Sequence, residues 1–173
     1  MNKNSISRKR FLFNAILFTP ALAISPTILF SQQKEKPLSI DSKIVNEFVK
    51  IAHSDFNKVK QMLEEYPLLL NASWDWGGGD FETAIGAAGH MGLKETANFL
   101  IEKGARTDIF VLAMLGKTEI VKSILTAYPS LLNSLGPHGF TLLHHAEKGG
   151  KDSEELFSYL QTLGLKDRNI KLF

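Results

Sequence analysis

Val59-Lys60-Gln61-Met62-Leu63-Glu64-Glu65-Tyr66-Pro67-Leu68-Leu69-Leu70-Asn71 is matched, 62 residues later and without a gap, by Val121-Lys122-Ser123-Ile124-Leu125-Thr126-Ala127-Tyr128-Pro129-Ser130-Leu131-Leu132-Asn133; eight of the 13 positions are identical. Such self-similarity marks one structural unit used twice. In each copy the apolar residues recur at helical spacing: Phe56, Val59, Leu63 and Tyr66 in the first, Val121, Ile124, Leu125 and Tyr128 in the second. Pro67 and Pro129 stop these helices, and Asp55 is placed to cap the first. Each apolar stripe is too narrow to fold alone, so neighbouring helices must stack.

Between the copies runs Thr83-Ala84-Ile85-Gly86-Ala87-Ala88, followed by Gly92, Glu95, Phe99-Leu100-Ile101 and Gly104-Ala105. This segment resembles an ankyrin repeat, departing from the family's T-P-L-H-x-A pattern at Ala84 and Gly86. Gly139-Phe140-Thr141-Leu142-Leu143-His144-His145-Ala146 is a closer match, with Leu142 where proline is usual. Ala113 to Val121 is similar to the turn of a further repeat, and a degenerate first repeat begins near Ile44. Turn points near Asp55, Gly92, Gly116 and Gly149 lie 37, 24 and 33 residues apart, irregular about the ankyrin period. The resemblance implies an all-α ankyrin-repeat solenoid of about four stacked helix pairs over residues 44–165, with projecting β-hairpin-like loops. Asp152 to Leu163 would be the closing helix, with Asp152 and Glu155 as a capping box. The chain also resembles a group of exported bacterial ankyrin proteins through its Trp74-Asp75-Trp76-Gly77-Gly78-Gly79 and Gly136-Pro137-His138-Gly139 loops. That likeness implies no particular activity.

The N-terminal residues read differently. Lys3, Arg8, Lys9 and Arg10 precede an apolar run from Phe11 to Ala23 that ends in Ala21-Leu22-Ala23, and no acid occurs before Glu35. Basic, apolar and small-residue regions in this order make a secretory signal, residues 1–31, cleaved near 23 or 31. Ser7-Arg8-Lys9-Arg10-Phe11-Leu12 resembles a twin-arginine signal with Lys9 in place of the second arginine. The alternative is an uncleaved membrane anchor. Residues 32–43 read as a linker and 166–173 as a tail that docks or frays.

Composition narrows the functions. Hydrophobic residues at 44% and charged residues at 22% are ordinary for a folded domain, so disorder is excluded as a reading of the whole chain. The absence of cysteine removes disulfides, thiol nucleophiles and thiolate metal sites. Net charge is +2, but cleavage after Ala23 would remove four cations and no acid, leaving a mildly acidic domain. Such a domain offers no basic face to nucleic acid, and none is expected as a partner.

Among possible sites, Gly116-Lys117-Thr118 lacks the first glycine of a phosphate loop, since position 111 is valine. His144 and His145 are adjacent, so on a helix they point about 100° apart and cannot easily share an ion. His144 stands where the ankyrin family keeps a structural histidine, which implies a ring bonded to backbone or to the Thr141 hydroxyl. The carboxylates are scattered, and no pair for acid–base work is evident. Catalytic residues, metal ligands and cofactors are therefore not expected. The most informative feature is the loop from Ser73 to Glu82, which holds both tryptophans, Phe81 and three consecutive glycines. Projecting aromatics are common binding hot spots. Trp74, Asp75, Trp76 and Phe81, and then His138 in the second loop, are the expected partner-binding residues. The expected function is an exported, periplasmic, monomeric and non-catalytic module that binds another protein. The alternatives are an accessory subunit of a periplasmic enzyme and a membrane-anchored structural repeat protein. Convergence of Asp75, Asp80 and His138 on one pocket would favour an enzymatic role.

Overall fold

The computed structural model describes residues 38–173. The expected signal at 1–31 and the first half of the expected linker, residues 32–37, lie outside the described residues. Asp41 and Asp55 cap the first two helices, α1 (Ser42–Ile51) and α2 (Phe56–Glu65), by accepting from the amides of Lys43 and Lys58. Pro67 cannot continue α2, and a 3-10 turn, Pro67–Asn71, follows. The chain then forms β1 (Ser73–Asp75) and β2 (Phe81–Thr83), an antiparallel pair with Trp74 opposite Glu82 and Asp75 opposite Phe81.

The Thr83 hydroxyl caps α3 (Ala84–Met91) by accepting from the Gly86 amide. Gly92 ends α3 at φ 78°, and a Cβ there would stand 2.8 Å from the Lys148 carbonyl oxygen, so both conformation and space require glycine. The remaining helices are α4 (Lys94–Glu102), α5 (Ile109–Met114), α6 (Thr118–Ala127), α7 (Leu142–Gly149) and α8 (Glu154–Thr162). Asp108 caps α5 and Thr141 caps α7. Helices α3, α5 and α7 pack side by side, with α1 against α3 and α8 against α7. The core has two parts. Phe48, Leu69, Ile85, Leu100 and Met114 anchor the first, and Leu142, Leu143, Leu156 and Leu160 the second. Ala84, Ala87 and Ala88 of α3 are fully buried, and their small side chains allow close helix approach.

The expected four-repeat ankyrin solenoid is not what these residues form. The architecture is mostly helical with a small two-stranded antiparallel sheet, and it is not clearly a repeating array. The units are unequal: α5 has six residues where α3 and α7 have eight, and a 3-10 segment, Gly150–Ser153, interrupts the last pair. The junctions also differ. The sheet forms before α3, whereas the corresponding stretch before α7 is a 3-10 turn, Pro137–Gly139, closed by the C-terminal tail. There Arg168 O accepts from the Thr141 amide, Gly139 O accepts from the Ile170 amide, and Phe140 bridges Asn169. The capping box fails as well. Helix α8 begins at Glu154 without a side-chain cap, because the Asp152 carboxylate pairs with Lys94 instead. No helix among the described residues is long and apolar enough to cross a membrane.

Candidate functional site

The hairpin has two faces because side chains alternate along a strand. Asp75 Oδ1 accepts from the amides of Gly77 and Gly79, which fixes the glycine turn. The Asp80 carbonyl accepts from the Trp76 amide and extends the pairing by one rung. Phe81 is 61% exposed. Together with Phe110, Leu135, Pro137, Leu172 and Phe173 it walls a groove of about 500 Å³. The Phe173 ring lies over Gly78 at the hairpin tip.

The other face covers a buried polar cluster. Glu82, opposite Trp74 in the sheet, is 1% exposed, and its Oε2 accepts from the Trp76 indole N–H at 2.8 Å. Three histidine rings surround this carboxylate, each from a different element. His53, just past α1, places Nε2 3.3 Å from Glu82 Oε2. His90, near the end of α3 and 4% exposed, places Nε2 2.8 Å from Glu82 Oε1. His138, in the Pro137–Gly139 turn, places Nε2 3.5 Å from Glu82 Oε2. The Nε2 atoms of His53 and His90 are 3.2 Å apart. The ligand-capable atoms of these four residues all lie within 4.8 Å of one another, so they could hold a metal ion in common.

Outer contacts hold the rings in place. His53 Nδ1–H donates to the carbonyls of Val49 and Lys50 at 3.0 and 3.1 Å. His138 Nδ1–H donates to Asp80 Oδ2 at 2.7 Å, while Asp80 Oδ1 accepts from the His138 amide at 2.9 Å. That double contact holds His138 at φ 58°, a left-handed conformation that costs a non-glycine residue about 1–3 kcal/mol. Asn169 Nδ2 donates to the His138 carbonyl at 2.6 Å, and the Phe140 ring stacks on both His90 and His144. Burial pushes the Glu82 carboxyl up, but the His53 and His90 rings beside it outweigh burial and hold it at about 2. The Glu82 hydrogen bond raises His53 in turn.

Of the expected partner-binding residues, the structure brings Trp76 and His138 together, with ring centroids 5.8 Å apart, and places Trp74 on the same hairpin face. Asp75 and Phe81 lie on the opposite face. Trp74 is half-buried and Trp76 is 38% exposed. Asp80 and His138 converge, while Asp75 is engaged with the glycine amides. His144 and His145 lie outside the cluster: His144 Nε2–H donates to the His90 carbonyl, and His145 Nδ1–H to the Thr141 carbonyl. Sequence reasoning did not single out His53, Glu82 or His90 as a set. Their numbers follow no ligand spacing along one helix, since they sit on a helix end, a strand and a second helix. Family models, curated proteins and solved structures give no match to this chain.

Proposed function

We propose that the chain is a non-catalytic module that binds another protein through the β1–β2 hairpin, in the compartment to which the chain is exported. The observation that carries this reading is Phe81, a large aromatic 61% exposed on a hairpin that is anchored on its other face. Preorganised contact surfaces lose little entropy on binding, and aromatic anchors beside a groove are favoured contact points. Trp76, partly exposed across the hairpin, would contact the same partner from the other side, with Trp74 beside it, Asp75 next to Phe81 and His138 at the rim.

The test is a quantitative capture from envelope extract with the full-length chain and its Phe81→Ala variant as baits. The Phe81 side chain is mostly exposed, so truncation should leave the fold intact. A protein enriched by the wild type and lost at least tenfold with the variant is expected. Equal recovery by both baits would remove the hairpin from the contact surface.

A further inference from the structure

We propose that His53, His90, His138 and Glu82 form a structural site for one divalent first-row transition metal ion, with zinc the best geometric match. The reasoning starts with protons. The acceptors around His53 Nδ1 are backbone carbonyls, and the acceptor at His138 Nδ1 is a carboxylate. Neither can donate, so Nδ1 carries the hydrogen in both rings. In the neutral rings Nε2 therefore presents a bare lone pair. Both lone pairs face Glu82 Oε2, itself an acceptor, at 3.3 and 3.5 Å. Acceptors gathered around a buried anion repel one another unless a cation lies between them.

A proton on His53 would relieve one of these contacts and leave the others. Glu82 Oε1 would remain buried without a hydrogen-bond partner, because His90 Nε2, although 2.8 Å away, is not directed to make one. One divalent ion meets the lone pairs of all three rings and the charge of the carboxylate at once. It accepts a lone pair from each ring and from the carboxylate, and it changes the local charge from −1 to +1 by simple addition of its two charges. Three of the separations already suit it, and all the ligand atoms lie within 4.8 Å of one another. Metal–ligand bonds of about 2.0–2.1 Å at tetrahedral angles put neighbouring donor atoms about 3.3–3.4 Å apart. The measured separations are 3.2 Å for His53 to His90, 3.3 Å for His53 to Glu82 and 3.5 Å for His138 to Glu82.

The donor set selects the metal class. Three imidazoles disfavour calcium and magnesium, which prefer oxygen ligands, and the absence of thiolate disfavours copper(I). Four protein ligands leave a tetrahedral ion no open position, which fits a structural site better than a catalytic one. The Asp80–His138 contact is the carboxylate–histidine arrangement that orients metal-bound imidazoles, and the backbone carbonyls do the same for His53. The ion would join α1, β2, α3 and the Pro137–Gly139 turn, and so fix the base of the hairpin. This inference stands independently of any partner.

The test uses the full-length chain, stripped with chelator and titrated with Zn²⁺, and in parallel with Co²⁺ as a spectroscopic probe. The wild type should bind one equivalent of Zn²⁺, and the Co²⁺ form should show the intense visible absorption of tetrahedral cobalt. His53→Ala combined with His138→Ala should weaken Zn²⁺ binding at least 100-fold and abolish the cobalt bands. Both rings are partly exposed, so this variant should keep its helical circular dichroism. If it does not, Glu82→Gln, which preserves side-chain shape, replaces it with the same expectation. Failure of the wild type to bind one saturable equivalent would overturn the proposal. Undiminished binding, or unchanged cobalt bands, in a folded variant would do the same.

Discussion

His145 lies on α7, 1% exposed, with its ring 5.1 Å from that of Phe110. Burial lowers its pKa to about 4, helped by the nearby His144 and His90 and opposed by the bond to the Thr141 carbonyl. The unfolded chain, with an ordinary histidine pKa, binds this proton more readily than the folded one. The contribution is therefore fully present above pH 6.5 and is lost as pH falls from there toward 4. The shift corresponds to about 3 kcal/mol, an order-of-magnitude figure. Urea unfolding midpoints should fall between pH 7 and pH 5, and His145→Asn should flatten that slope. Asp80 belongs to the same scale. Asp80→Asn keeps the side-chain shape but weakens the hold on His138 Nδ1, so Zn²⁺ affinity should drop about 10- to 100-fold by calorimetry. A merely structural Asp80 would shift the melting temperature and leave the affinity of the folded protein unchanged.

At the scale of elements, the hairpin turn depends on one side chain. Asp75→Ala removes the acceptor of the Gly77 and Gly79 amides. Those amides should then exchange hydrogen faster, while the global melting temperature changes little, because the turn buries little apolar surface. Local sequence made many elements legible. Asp55 caps α2, Pro67 and Pro129 end their helices, and Gly92 takes the left-handed conformation. These features depend on neighbours within about four residues. Asp152 was misleading for the opposite reason: its carboxylate has a long-range alternative in Lys94, 58 residues away, and that partner wins over the local cap. The buried cluster was illegible on the same ground. Glu82 on a strand reads as a solvated carboxylate until the hairpin folds down and covers it. His138 was singled out for its loop, but its partners come from elements that local pattern does not join to it. The repeated 13-residue unit correctly marks two helix–proline–3-10 segments, but it carries no information about the unequal junctions between them.

Across the whole molecule, the tail ties distant parts together. Arg168 pairs with Glu147 on α7, Asn169 holds the His138 carbonyl, and Phe173 reaches the hairpin tip. Removing residues 168–173 should lower the melting temperature by several degrees and loosen the His138 turn, a change visible as increased exchange at the Gly139 and Thr141 amides. The four proposed ligands span residues 53 to 138, so the ion acts as a cross-link between segments far apart in the chain. In a protein without cysteine such a tie is blind to redox state. A phosphine reductant should leave the melting temperature where it is, and chelators should lower it. Chelator treatment of the ligand-deficient variant should have no further effect. The molecule would thus keep the mechanical benefit of a disulfide in any compartment, oxidising or reducing, at the cost of depending on the local supply of a metal.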